Sequence, residues 1–244
     1  MSRITLDAAE LFASKMRAQL QLSTSEPVNA KTILRILGIL AIYRPLSETL
    51  YGSSMKSADG KCRFMLINSN STRGRQHFTI AHELYHLYFD ENPRPHFCKE
   101  GVTDEAERSA NIFARAFLMP KIGVIQSIPD KEIASKSVKL TTVLKLEALY
   151  GVSHTAMLVR LKELKLISNE TFDAYQGIRV TTEAALRGLD TELYKKGNDG
   201  LVIGDFGAKA RELFEKDIIS EGHYVELLNM IGYGSDEGED CVGC

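Results

Sequence analysis

The segment His82-Glu83-Leu84-Tyr85-His86 combines two imidazoles and a carboxylate at a spacing that suits metal-dependent hydrolysis. Residues four apart on an α-helix project from one face, so His82 and His86 can reach one metal ion together. Glu83 lies about 100° further round the helix, where it can act on a metal-bound water without binding the metal itself. The pattern therefore predicts a zinc hydrolase site that still lacks a third ligand.

Glu107 is the candidate for that third ligand, since a zinc hydrolase site uses three protein ligands and leaves the fourth position for water or substrate. Residues 103–120 are predicted to form a helix, because small and apolar side chains recur there at helical spacing before Pro120. Asn111 lies one turn after Glu107, where it can accept a hydrogen bond from the outer nitrogen of a zinc-bound histidine. Alternatively, Glu107 is a solvated charge on a surface helix, as Glu105 is expected to be. The pairing with two histidines favours the ligand.

These segments resemble a known family. Residues 75–86, 107–114 and 117–120 closely resemble the ImmA/IrrE family of bacterial zinc metallopeptidases, and the resemblance covers about residues 26–120. It implies a cytoplasmic peptidase with a thermolysin-like metal site, and the usual targets of the family are helix-turn-helix repressors of mobile elements, prophages or stress regulons. Tyr85 stands where the family pattern usually has glycine, and we expect its ring to face the core.

Length, net charge and cysteine content limit the classes of protein to which the chain can belong. A chain of 244 residues supports one or two domains with a hydrophobic core, and a net charge of −2 gives no overall field that favours nucleic acid or membrane. The sequence has neither a signal peptide nor a run near the roughly 18 apolar residues of a membrane span. Its four cysteines lack the spacing of a disulfide scaffold. Cys241 and Cys244 have the spacing of half a zinc site, which alone is not a site. We expect a cytoplasmic protein without membrane contact.

The order of predicted elements indicates an α+β fold, with a small twisted sheet packed on a zincin-type metal helix. Residues 4–22 are predicted to form an amphipathic helix, and apolar runs at 40–43, 50–55 and 62–67 are predicted to form strands. The predicted units are a zinc metallopeptidase domain with its N-terminal helix at 1–128, a helix-turn-helix-like unit at 129–168, a mainly helical region at 169–232 and a disordered acidic tail at 233–244.

The predicted strand that ends before the metal helix is the candidate for holding substrate. Zinc peptidases of this general architecture lay the substrate backbone along an edge strand beside the metal helix. By that analogy the substrate-binding residues are Phe64, Met65, Leu66 and Ile67. The alternative is that this strand only contributes side chains to the hydrophobic core.

The helix-turn-helix-like unit has clear boundary signals: one helix is expected to end at Gly151, and Ser153 is expected to cap the next. DNA binding would need base-reading side chains at the start of the second helix, where Ser153, His154 and Thr155 stand. The unit is therefore open to three interpretations: a DNA contact, a packing module, or a surface that grips a repressor.

The functional hypothesis is a zinc-dependent endopeptidase that cleaves a regulatory DNA-binding protein. One Zn²⁺ would be held by His82, His86 and Glu107, with Glu83 as the general base. Manganese or another divalent ion also suits these ligands. The alternative is a regulator that binds DNA or a partner through residues 131–168, with a structural or vestigial metal site. A structural site would more often be closed by four ligands, commonly including cysteine.

Overall fold

The computed structural model describes residues 5–90, 96–99, 101 and 104–232. In chain order its elements are α1 (Leu6–Gln19), α2 (Ala30–Ile36), β1 (Ile39–Arg44), β2 (Leu50–Lys56), β3 (Arg63–Asn68), α3 (Arg73–Phe89), β4 (His96–Lys99), α4 (Glu105–Leu118), α5 (Lys121–Gln126), α6 (Asp130–Ala134), α7 (Leu140–Tyr150), α8 (His154–Glu163), α9 (Asn169–Gln176), α10 (Val180–Leu186), a 3-10 turn (Glu192–Tyr194), β5 (Val202–Ile203), α11 (Phe206–Glu215) and α12 (Glu221–Met230). The tail predicted at 233–244, with Cys241 and Cys244, lies outside the described residues. Among the helices that are described, none is both long and apolar enough to cross a lipid bilayer.

The strands form a five-stranded mixed sheet in the order β4-β2-β3-β1-β5. The three apolar runs are strands, as predicted, and the α+β class is confirmed. β1 runs parallel to β3, and the other neighbouring strands are antiparallel. β4 was not predicted, because its four residues lie in a stretch where proline and charged side chains indicated only a loop.

The position of β3 contradicts one expectation. The strand that carries Phe64, Met65, Leu66 and Ile67 pairs with β1 on one side and with β2 on the other. Its backbone hydrogen bonds are therefore already used, and the side chains of Met65 and Ile67 are fully buried. The prediction that this is an edge strand open to substrate is wrong. In the described part of the sheet, β4 is the edge strand on the side of β2.

Helix α3 packs closely on the sheet at Gly52 of β2. A Cβ atom at this glycine would lie 2.6 Å from Cγ2 of Thr79 and 2.9 Å from the carbonyl oxygen of Leu66. Such distances leave no space for a side chain, so glycine is what permits this approach. The contact fixes the middle of α3, where the histidines lie, against β2.

The opposite side of α3 packs on α4, which in turn packs on α1. Ala110 and Ala114 of α4 are fully buried, and their small side chains let the helix axes approach. The ring of Tyr85 lies 5.8 Å from that of Phe113 between centroids, and only 5% of Tyr85 is exposed. As expected, this tyrosine is a core residue rather than part of a cleft.

The turn between α7 and α8 packs against the first turns of α3. Gly151 ends α7 in the left-handed conformation at φ 64°, and the Ser153 side chain accepts a hydrogen bond from Ala156 N, both as predicted. A Cβ atom at Gly74 of α3 would lie 2.9 Å from Ser153 N. One hydrophobic core includes buried residues from α1 through α8, and the boundary predicted between residues 128 and 129 falls inside it.

Arg160 of α8 joins this unit to the rest of the core. Its side chain is fully buried, Nε donates to the Met119 carbonyl oxygen at 2.9 Å, and Nη2 lies 2.5 Å from Oε1 of Glu10 in α1. Its removal leaves a cavity in the core and the Met119 carbonyl oxygen without its donor, and both effects are destabilising. We therefore expect Arg160→Ala to lower the free energy of unfolding by about 3 kcal/mol in urea denaturation. The exposed Lys145→Ala in α7 is the matched control, and equal effects of the two substitutions would contradict the expectation.

Candidate metal centre

The two histidines of α3 meet as their spacing predicts. His82 and His86 lie on one face of the helix, with exposed fractions of 1% and 4%, and their Nε2 atoms are 3.3 Å apart. Both rings therefore direct the same nitrogen to one point between α3 and α4.

Glu107 is brought to that point by the start of α4. Asp104 caps this helix, and its Oδ1 accepts a hydrogen bond from Glu107 N at 2.9 Å. The Glu107 carboxylate is buried, with Oε2 3.3 Å from His82 Nε2 and Oε1 3.5 Å from His86 Nε2. These contacts rule out the alternative of a solvated surface charge.

The separations among these three groups suit a small metal ion. Zinc lies about 2.0–2.1 Å from histidine nitrogen and prefers a tetrahedron, whose ligand atoms are then roughly 3.3–3.5 Å apart. The observed separations of 3.3, 3.3 and 3.5 Å match this range. The donor set of two imidazoles and one carboxylate is also one that zinc accepts. His82, His86 and Glu107 therefore fit the group that the sequence implies.

The Nδ1 atom of each histidine, which faces away from the candidate metal position, lies near an oxygen acceptor. His82 Nδ1 lies 3.1 Å from Asn111 Oδ1, in the arrangement predicted for Asn111. His86 Nδ1 lies 3.4 Å from Oδ2 of Asp90, a residue that the sequence analysis missed. The signal was present, because Asp90 stands four residues after His86 and therefore on the same side of the chain. Both acceptors favour the tautomer that leaves Nε2 available to a metal.

Removing the acceptor behind His82 should weaken metal binding without removing a ligand. We expect Asn111→Ala to raise the dissociation constant for Zn²⁺ by about 10–100-fold, measured by competition with a chelating dye. Arg108→Ala is the control, since Arg108 lies on the exposed side of the same helix. An unchanged dissociation constant for Asn111→Ala would show that the hydrogen bond does not orient the ligand.

Glu83 lies beside the cluster and is completely buried. Its Oε2 accepts a hydrogen bond of 2.5 Å from Oγ of Ser54 in β2. Ser54 was also missed, because no local pattern links a strand residue to a helix residue 29 positions later. This contact fixes the direction of the carboxylate that the sequence analysis assigned to proton transfer.

Cys98 adds a fourth donor to the cluster. It stands in a stretch where no strand was predicted, and it lies on β4 opposite Gly52, with 8% of its surface exposed. Ligand atoms of His82, Cys98 and Glu107 all lie within 4.8 Å of one another. Burial alone would lower the pKa of His82, but hydrogen bonds with Cys98 and Glu107 raise it well above its ordinary value. The chain thus brings a thiol to the metal ligands in addition to the predicted groups.

A cleft of about 330 Å³ opens over the cluster and is lined by three helices together with Tyr51 of β2 and Cys98 of β4. α3 contributes Arg75 and Phe78, α4 contributes Arg115, and α8 contributes Thr155 and Val159. The start of α8 therefore faces the metal ligands, while the strand of Phe64 to Ile67 is absent from the residues that line this cleft.

The chain is similar to a known protein family. The family model described as the IrrE N-terminal-like domain, Peptidase M78, matches residues 35–162. The matched region runs from α2 to α8, so it contains the three candidate ligands, Glu83 and the α7–α8 unit. None of the curated proteins matches the chain.

Proposed function

Because the chain belongs to the IrrE N-terminal-like family of M78 peptidases, we propose that it is a zinc-dependent endopeptidase. The observation that carries the proposal is the convergence of His82, His86 and Glu107, with the buried carboxylate of Glu83 directly beside them. A carboxylate that is fully buried next to a metal site but is not one of its three ligands suits a general base.

The residues divide the chemistry among them. When bound, zinc would supply Lewis acidity, which polarises the scissile carbonyl and activates the attacking water. Glu83 takes the proton of that water at its carboxylate and delivers it to the amide nitrogen that leaves. Ser54 keeps the carboxylate aimed at this task, while Asn111 and Asp90 hold the two imidazoles.

The corrected sheet order suggests a different site for the substrate backbone. β4 carries Cys98 at the cleft and, among the described strands, pairs only with β2. An extended peptide could add to its outer edge, since strand addition uses unpaired backbone groups. The β4 edge replaces Phe64–Ile67 as the proposed binding strand.

We propose that the substrate is a DNA-binding regulator of the helix-turn-helix repressor type, whose cleavage relieves repression of a mobile element, prophage or stress regulon. The substrate class rests on the family resemblance of residues 26–120. A regulator of this kind would require the peptidase to act in the cytoplasm.

Specific observations bear on two other functions, DNA binding and a purely structural metal site. DNA binding through α8 is disfavoured, because the start of this helix faces the metal cleft and its preceding turn packs on α3. A purely structural metal site is favoured by Cys98, since four-ligand sites with cysteine are typical of structural zinc. A structural site gives no role to Glu83, however, and burying a carboxylate without a role is costly.

The test uses the full chain, Zn²⁺ and small helix-turn-helix repressors as candidate substrates. We expect mass spectrometry to detect two fragments from one cut, and chelation of the metal to prevent the cut. If the repressors stay intact while the chain binds DNA with a steep dependence on salt, the regulator alternative replaces the proposal.

A further inference from the structure

Cys98 reaches the metal ligands because of its place in the sheet. It pairs with Gly52 across the β2–β4 ladder, and residues directly opposite each other present their side chains on one face. Gly52 faces α3, where a Cβ atom would clash with Thr79. The side chain of Cys98 therefore also points towards α3. Phe97, the preceding residue, points away and is 52% exposed.

The thiol lies close to two of the three groups that would bind the metal. Its sulfur lies within 4.8 Å of ligand atoms of both His82 and Glu107. A sulfur and a nitrogen on one tetrahedral zinc are roughly 3.6 Å apart, given metal distances of about 2.3 and 2.0–2.1 Å. For Cys98 to bind the same ion, its sulfur has to lie about that far from the other donors.

We propose that Cys98 is a fourth protein ligand of the metal in the resting protein, which closes the coordination corner that peptide hydrolysis needs. The regulatory consequence rests on the proposed peptidase function. The protein is inactive as a peptidase until Cys98 dissociates from the ion. On binding, the thiol gives its proton to solvent and a metal–sulfur bond forms. On release, that bond breaks and sulfur regains a proton. β4 can allow the exchange, because it is a four-residue strand at the edge of the described sheet.

The first measurement is spectroscopic and does not depend on activity. The full chain is loaded with Co²⁺ in place of zinc, and we expect the near-ultraviolet charge-transfer band of a cobalt–thiolate bond. The band should remain in Cys62→Ser, since Cys62 is exposed, and disappear in Cys98→Ser. Its absence from the wild-type chain would overturn the inference, whatever the folding of the variants.

The second measurement follows thiol alkylation by iodoacetamide, read peptide by peptide in the mass spectrometer. Zinc should slow the modification of Cys98 by at least about tenfold and leave that of Cys62 unchanged, because only a free thiolate reacts. Equal rates at Cys98 with and without zinc would count against a metal–sulfur bond.

Measurements of peptide cleavage then test the Cys98 ligand and the proposed peptidase function separately. If both hold, Cys98→Ala cleaves the repressor substrate faster than the wild-type chain does. A cobalt–thiolate band without cleavage by either protein would keep Cys98 as a ligand and reject the peptidase. Cleavage by the wild-type chain without the band would keep the peptidase and reject the ligand.

Discussion

Glu83→Gln should abolish peptide cleavage while leaving the metal bound and the fold intact. Glutamine has the size of glutamate but cannot take a proton from water, and general-base catalysis contributes about 10²–10⁴-fold to rates. We therefore expect kcat to fall by at least about 100-fold. The Ser54 hydroxyl can still donate to the amide oxygen of glutamine, so the contact seen at Oε2 has an equivalent in the variant.

The control for this variant is Glu105→Gln, which removes one negative charge from the exposed first turn of α4. Its kcat should equal that of the wild-type chain. Zinc content and circular dichroism should be the same for all three proteins. If Glu83→Gln kept normal turnover with full metal content, the assignment of Glu83 as the base would be wrong, and the structural interpretation of the metal site would gain support.

The features of the centre that sequence could predict are those set by the geometry of a single helix. The spacing of His82 and His86 on α3 determines that both rings meet at one point, and the spacing of Glu107 and Asn111 places both on one face of α4. The step from α3 to α4 depended on the requirement for a third ligand rather than on any contact pattern. The structure brings these four residues together as predicted.

The features that sequence could not predict depend on pairing between distant segments. Ser54 reaches Glu83 because β2 packs on α3, and Cys98 lies near His82 because of the register between β2 and β4. The order of strands in a sheet is likewise not written in any local pattern. β1 pairs with β3 rather than with the strand that follows it, and this crossover places β3 inside the sheet. The prediction of an edge strand at Phe64–Ile67 failed for that reason.

The α7–α8 unit likewise has features that follow from local sequence and features that follow from contacts with distant residues. Its boundaries follow from a left-handed glycine and a serine cap, which are local signals. Its position follows from Gly74 and His77 of α3, whose contacts with residues 151–153 turn the start of α8 towards the cleft. A motif that resembles a DNA-binding unit therefore becomes part of the wall of the metal centre.

The second large effect concerns Glu107, since it is the ligand that ties α4 to α3. Removing a metal ligand should weaken zinc binding more than removing a supporting residue does, so we expect Glu107→Ala to raise the dissociation constant by more than about 100-fold. A metal that binds only the folded chain stabilises it by about 2.7 kcal/mol at a concentration 100 times its dissociation constant. For a chain of this size, that corresponds to an increase in Tm of roughly 5–10 °C for the wild type.

The zinc-dependent increase in Tm, measured by calorimetry, is the best readout of the Glu107 variant. The carboxylate is buried against two imidazoles, so its removal also changes the stability of the metal-free chain, and an absolute Tm would mix the two effects. The difference in Tm between zinc and chelator, taken within each protein, cancels the change in stability of the metal-free chain and leaves only the effect of the metal. We expect it to vanish in Glu107→Ala at the same zinc concentration and to persist in Glu105→Ala. Should Glu107→Ala retain the full increase, the metal would be held without α4, by donors such as Cys98 with the two histidines, and the assignment of Glu107 as a required ligand would be wrong.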